Sequence, residues 1–281
     1  MEEHLLIRQS VSGYKHLDLG NIKLAFTQVC EEEIFRDVYF AANSLYYVES
    51  GNAEIYCNNN KTTIREGEIC LIKQHSKLDI KKSKSKDGKD FKSIIFYLFP
   101  DFVVEFIKQS KEHKGQPDFQ TIDPIIHLGK HILLKNFCES LLPLFENKQW
   151  NDADIKQNTF TALNHLSQHN KKLLDFLLAN SKPIKIDLYE FMIHIGLYNY
   201  SVAELARLTG RSLSAFKRDF QAIFETTPHQ WLLNHKIDYA EQLLKNKKMK
   251  ASDIYFMLGF NELSHFSLAF KKIKGVSPAQ L

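Results

Sequence analysis

The residues best suited by type and spacing to do chemistry are two pairs of histidines. His127 and His131 lie four positions apart, and so do His165 and His169. On a helix that interval sets both rings on one face, and two such pairs on neighbouring helices could hold a metal ion. Neither pair carries the glutamate of an HExxH zinc hydrolase, so solvent-facing or interface histidines are the plainer reading. The four cysteines, Cys30, Cys57, Cys70 and Cys138, are widely separated and form no CxxC pair. Such spacing suits reduced, mostly buried thiols rather than a zinc knuckle or a disulfide framework. No nucleophile elbow, phosphate loop or dinucleotide fingerprint occurs. An enzyme is not expected, and neither is a metal or any other cofactor.

The distribution of charge points elsewhere. The chain has 281 residues and a net charge of +4. Residues 185–281 hold 13 Lys and Arg against 9 Asp and Glu, whereas the residues before them hold 24 of each. A basic excess confined to the last third favours a polyanionic partner. The lysine-rich stretch Lys81–Lys89 is expected to be a solvated hairpin loop. The N-terminus lacks a secretion signal, and no apolar run approaches the ~20 residues that cross a bilayer. A cytoplasmic protein without membrane association is therefore expected.

The elements that must position any site fall into three stretches. From residue 22 to 98 short strands alternate with turns: Lys23–Val29, Ile34–Phe40, Ser44–Ser50, Ala53–Cys57, Glu68–Lys73 and Lys92–Leu98. Many short strands without helices between them predict a sandwich or barrel. Its aromatic strand residues, Phe35, Tyr39, Tyr46, Tyr47, Phe96 and Tyr97, could line a small-molecule pocket in its mouth or simply fill the core. After Pro100 the apolar period becomes helical, and two long amphipathic helices are predicted over Pro124–Glu146 and Asp152–Asn180. Leu133, Leu134, Phe137 and Leu141 are candidates for a seam with a second copy of the chain, with internal core as the competing reading. Ser181-Lys182-Pro183 marks a linker.

Beyond the linker the caps are explicit. Asp187–Tyr198 is predicted as a helix, and Ser201-Val202-Ala203-Glu204 has the form of a capping box that starts another. Thr209-Gly210-Arg211 is a tight turn in which Gly210 suits a left-handed conformation. Ser212 caps a further helix with Phe216, Phe220, Ile223 and Phe224 on one face and polar residues on the other. This is a helix-turn-helix pattern. Thr227-Pro228 opens a connecting helix to about Leu244. The pattern then repeats as Asp253–Met257, the turn Leu258-Gly259-Phe260 and Ser264–Lys272, about fifty positions on. The expected fold class is α+β: an N-terminal β-sandwich or barrel (1–122), helices (123–182), and an all-α C-terminal domain with two helix-turn-helix units (183–281).

The segments SVAELARLTGRSLSAFKRDFQAIFETTPHQWL and ASDIYFMLGFNELSHFSLAFKKIKGVSPAQL resemble the DNA-binding domain of the AraC/XylS family. TPHQWLLNHKIDYAEQLLKNKKM resembles the ExsA-like branch of that family. SLYYVESGNAEI and IREGEICLIKQHSKLDI are similar to its cupin-like regulatory domains. The resemblance implies a sequence-specific transcription regulator, an activator, controlled through its N-terminal domain. Its implied partners are duplex promoter DNA, RNA polymerase, a second copy of the chain, and an effector that is either a small molecule or, as in the ExsA-like branch, a regulatory protein.

Carried over position by position, the family's reading residues fall on Ser214, Lys217, Arg218 and Gln221 in the first unit. Arg218 is suited to bidentate pairing with guanine. In the second unit they fall on Leu263, Ser264, His265, Ser267, Leu268, Lys271 and Lys272. Two residues depart from the family's habit: Leu268 stands where Arg is common, and Tyr255 where a small Ala is usual. Leucine cannot hydrogen-bond a base edge, though it can touch a thymine methyl. The second unit is thus expected to add backbone contacts through Lys271, Lys272 and His265, with weak base readout. Two other classes compete, a cupin-type metalloenzyme and a protein-interaction module with a weakened DNA domain. Against the first, the strand region Gly51–Cys57 lacks the histidines of a metal-binding cupin, and His75 alone cannot replace them.

Overall fold

The computed structural model describes residues 11–19, 21–57, 60–109, 123–147, 151–179, 185–195, 200–247, 249–256 and 258–281. The chain divides into two compact units, one spanning Arg8–Ile184 and the other built mainly of Lys185–Leu281.

The first unit is a two-sheet antiparallel sandwich with helices on one side. Its strands are β1 (Val11–Asp18), β2 (Ile22–Val29), β3 (Glu33–Phe40), β4 (Asn43–Ser50), β5 (Asn52–Cys57), β6 (Asn60–Arg65), β7 (Glu68–Ile72), β8 (Ser76–Ser83), β9 (Phe91–Leu98) and β10 (Ile125–Lys130). Six of them form a sheet in the order β1-β2-β9-β4-β7-β10, and four form a second in the order β3-β8-β5-β6. Strand alternation supplies the six-stranded sheet with two apolar faces. Tyr46, Ile95 and Tyr97 lie on the inner face, where Tyr97 meets Phe40 of β3 at 6.5 Å. Leu45, Tyr47, Ile69, Leu71, Ile94 and Phe96 lie on the outer face and join a core shared with helices. Gly51 makes the tight β4–β5 turn with φ +84°, and a Cβ there would come within 2.3 Å of the Ser83 carbonyl oxygen.

Those helices are α1 (Pro100–Gln109), α2 (Ile132–Asn147), α3 (Asp152–His169) and α4 (Lys171–Ala179). Phe102 and Phe106 of α1, Leu134 and Leu141 of α2, Leu163 of α3 and Leu173 of α4 all belong to the outer-face core. Phe106 meets Phe160 edge to face at 5.1 Å. A sheet buried on both faces explains why the helices carry more apolar surface than the sandwich alone requires.

Several expectations are corrected here. Residues 125–130 are a strand, not the start of a helix. They pair with β7 (Ile126 opposite Leu71), and Gly129 at φ +72° interrupts any helical path. His127 and His131 therefore share no helix: His127 bonds Glu68 at 3.1 Å from β10, and His131 precedes α2. The second predicted helix is two, parted at Asn170, whose backbone is extended. The four seam candidates also separate. Leu134 and Leu141 are buried and Phe137 packs on Phe96 at 5.8 Å, whereas Leu133 faces outward beside Ile132.

The six aromatic residues do not share one pocket. Tyr47 and Phe96 face the helices, and Tyr46 and Tyr97 lie inside the sandwich. Tyr39 hydrogen-bonds His75 at 2.8 Å. The basic stretch is only partly a loop, since β8 includes Lys81 and Lys82. Lys82 is buried, with its ammonium 4.5 Å from the Phe35 ring and 5.4 Å from Phe91. None of the four cysteines is in a disulfide, Cys70 and Cys138 being buried and the others half-buried. Among the described residues no helix is long and apolar enough to cross a membrane.

Candidate nucleic-acid interface

In the second unit α5 (Leu188–His194) begins at Asp187, whose carboxylate accepts from the Glu190 N–H at 2.8 Å. Then α6 (Val202–Leu208) starts with a complete capping box. The Glu204 N–H donates to Ser201 Oγ at 3.2 Å, and the Ser201 N–H donates to Glu204 Oε2 at 2.6 Å. The turn after it closes through Gly210 at φ +65°, with Arg211 N–H donating to Ala206 O at 2.9 Å. Ser212 caps α7 (Leu213–Phe224). Phe216 and Phe220 are fully buried, and Phe220 and Phe224 both lie against Trp231, at 6.0 and 5.7 Å. The anchor Trp231 belongs to α8 (Pro228–Lys247), a helix of 20 residues, about 30 Å long.

The second helix-turn-helix comprises α9 (Ala251–Ile254) and α10 (Leu263–Lys274). Its short helix ends earlier than predicted and its N-cap, Lys250, makes no side-chain cap bond. The turn repeats the first: Phe260 N–H donates to Tyr255 O at 3.1 Å, as Arg211 does to Ala206. Tyr255 thus occupies the position of Ala206. Its ring is accommodated without loss of the turn, packed partly buried against the core of Ile237, Leu243, Ile254 and Phe266. One additional residue enters the loop before α10. From there the two units correspond at an interval of fifty residues: Leu213 and Leu263, Phe216 and Phe266, Phe220 and Phe270. Glu225 and Gly275 end the two outer helices in the same left-handed conformation.

The buried phenylalanines determine which residues face out. On α7, Ser214, Lys217, Arg218 and Gln221 are exposed, with the Arg218 side chain 79% accessible. On α10, Leu263, Ser264, His265, Leu268, Lys271 and Lys272 are exposed and Ser267 is half-buried. Each helix therefore gathers its sequence-predicted residues on one outward side. Ile223, expected on the buried face, is exposed instead, while Phe224 beside it packs on Trp231 with Phe220. Lys274 turns to Asp238 at 2.7 Å and to Glu241 at 2.5 Å. Lys271 and Lys272 meet no carboxylate among the described residues, whereas Glu262 at the start of the helix accepts from Ser264 at 3.0 Å and lies 3.8 Å from His265.

Sequence reasoning missed Asp219. It sits beside Arg218 and bonds it at 3.4 Å, while also receiving Arg211 and, at 3.7 Å, Lys185. A carboxylate beside Lys217 and Arg218 on the outer helix is the available signal.

Comparison with known proteins accords with this geometry. A helix-turn-helix domain model matches residues 205–281, and the model of the ExsA N-terminal regulatory domain matches residues 43–176. These two matches, over separate parts of the chain, support a regulator of the AraC/XylS type on the ExsA-like branch. The virulence regulon transcriptional activator VirF of Yersinia enterocolitica is 33% identical over 93 residues, 33% of this chain and 34% of that protein. The HTH-type transcriptional regulator ExsA of Pseudomonas aeruginosa is 30% identical over 103 residues, 37% of this chain and 36% of its own. The match thus spans only about a third of the length of these relatives. Among solved structures, a variant of apo ToxT from Vibrio cholerae aligns over 92% of this chain and 96% of its own, at 12% identity and a TM-score of 0.48.

Proposed function

We infer that this AraC/XylS chain is a transcription regulator that binds duplex DNA through residues 183–281 and is controlled through the preceding sandwich and helices. The observation that carries this reading is the pair of equivalent helices, α7 and α10, each anchored by two buried phenylalanines and each turning lysine-bearing outward residues to solvent. In the first, Ser214, Lys217, Arg218 and Gln221 are placed for base edges and phosphates. In the second, Lys271, Lys272 and His265 are placed for the backbone. Nothing in this arrangement calls for catalysis. The expected setting is the cytoplasm, and the expected partners are promoter DNA and RNA polymerase. Control would come from a small molecule or a regulatory protein bound to the N-terminal unit. A second copy of the chain would pair through the outward side of α2, where Ile132 and Leu133 are exposed.

Selection of bound sequences from randomised duplexes by the full-length protein tests the central claim. A recurrent sequence should emerge, with binding that weakens steeply as salt is raised. Binding without any sequence enrichment would overturn it. Sedimentation of the full chain, alone and as Ile132→Glu/Leu133→Glu, tests the pairing. A strict monomer at micromolar concentration removes it.

A further inference from the structure

Leu268 occupies on α10 the position that Arg218 occupies on α7, fifty residues earlier. It lies opposite Phe266 and Phe270, in the middle of the outward side. Ser264 is one helical turn before it, and Lys271 and Lys272 one turn after. It is 68% exposed, the most exposed of the large hydrophobic residues among those described. A leucine held out to water on a rigid helix contributes nothing to the core of its own unit. Its neighbours are two lysines that meet no carboxylate among the described residues, an arrangement suited to a polyanion.

We propose that Leu268 is a specificity-determining residue that reads the C5-methyl group of a thymine in the major groove. This rests on the DNA-binding reading above. A leucine side chain has no hydrogen-bond capacity, and the thymine methyl is the apolar group that base edges display in that groove. Lys271 and Lys272 seat the helix on phosphates, and Leu268 then discriminates by burial of a methyl group against its own. Leu263 stands at the start of the same helix, 40% exposed, and can extend the apolar contact to a neighbouring base. The first unit thus selects by hydrogen bonds and the second by methyl contact. The solvated lysine pair favours this over docking of another protein on the same side.

The test uses the full-length protein and a synthetic duplex carrying the sequence enriched from randomised DNA. Each thymine is replaced in turn by deoxyuridine, which removes the methyl and leaves base pairing intact. At one or two positions the wild type should lose about three- to fivefold in affinity, the effect expected of one buried methyl group. Leu268→Ala, at an exposed position that leaves the fold intact, should bind equally to the thymine and uracil forms at one of those positions. Leu268→Arg should shift the preferred base there toward guanine. If uracil is neutral at every position, or costs Leu268→Ala as much as wild type, the methyl contact falls while DNA binding stands. If Leu268→Ala binds DNA unchanged but loses promoter activation, the residue docks protein and the proposal is overturned. Should the wild type enrich no sequence at all, the DNA-binding reading itself fails, and this inference with it.

Discussion

The guanidinium of Arg211 is joined to the carboxylate of Asp219 across the first helix-turn-helix, Nε donating to Oδ2 at 3.1 Å. The Arg211 side chain is only 7% exposed, and its Nη1 also donates to the carbonyls of Ile186 and Thr209, at 3.0 and 2.9 Å. One residue thereby ties the turn, the entry to α5 and the outer helix together. Asp219 shares its other oxygen with Arg218, at 3.4 Å, so the carboxylate that holds the turn also contacts the exposed arginine of the outer helix.

The hydrogen bond from Arg211, followed by the nearby Lys185 and Arg218 charges, holds the Asp219 carboxyl below its ordinary range. A carboxyl depressed in the folded state stabilises above its unfolded value and loses that contribution as pH falls through the folded one. Stability should accordingly decline below about pH 4. Asp219→Asn should unfold at lower urea at neutral pH and lack that part of the acid dependence. Trp231 fluorescence in a Trp150→Phe background reports the unit directly. Parallel acid profiles for the two proteins would count against the link.

The two outer helices should answer differently to truncation. Arg218→Ala should cost roughly 1–3 kcal/mol on the preferred sequence and relax the choice of base at one position. Lys271→Ala should weaken binding to all duplexes and reduce the slope of affinity against salt by about one unit. Equilibrium titrations at several salt concentrations separate the two. An Arg218→Ala protein with unchanged sequence preference would remove the division of labour.

His75 has its acid–base equilibrium shifted by burial. Burial, with a smaller effect from Lys73, lowers its pKa to about 4, and the neutral ring hydrogen-bonds the Tyr39 hydroxyl. The unfolded chain takes up this proton near pH 6.5, so between about pH 6.5 and 4 it binds more protons than the folded chain. Stability should fall across that window as pH decreases, by up to about 3 kcal/mol at its lower end. His75→Asn tolerates the positive φ of this position and removes the titration. Its stability curve should start below wild type at pH 7 and meet it near pH 4. Curves that stay parallel would assign the proton elsewhere.

Lys82 carries its charge at a cost. Burial brings its pKa down to about 8 despite the opposing effect of Glu33. Against an unfolded value near 10.5, the charged form is disfavoured in the fold, fully so below about pH 8, and the penalty fades as pH rises towards 10.5. Lys82→Met, similar in length and packed between the Phe35 and Phe91 rings, should stabilise the protein at pH 7 by roughly 1–3 kcal/mol. Chemical denaturation measures it. A destabilised variant would show that the cation–ring contacts outweigh desolvation.

Local signals in the sequence located most of the second unit. The Ser201 capping box, Gly210 and the Phe216–Phe220 pair are each decided within one turn of chain, and all three appear where the residues predict. Strand existence from β2 to β9 was legible wherever β-branched and aromatic residues alternate, but β6 and β8 are rich in Lys and Thr and were hidden by their polar outer residues. The failure at 125–130 has another cause. Ile125 and Ile126 fit a helical period with Leu133 and Leu134, and only the unpaired edge of β7, distant in sequence, decides for a strand. The outward set on α7 and α10 follows from the phenylalanine spacing, whereas the role of Asp219 depends on Arg211 and Lys185, eight and thirty-four positions away.

The interval of fifty residues between the two outer helices has an evolutionary consequence. Two copies of one framework, each held by its own phenylalanines, leave the outward residues of either free to change without disturbing the other. Arg218 and Leu268 stand at equivalent positions of the two copies. On the proposed DNA-binding reading, exchange at position 268 would retune one half of the target sequence while the other half is left as it was.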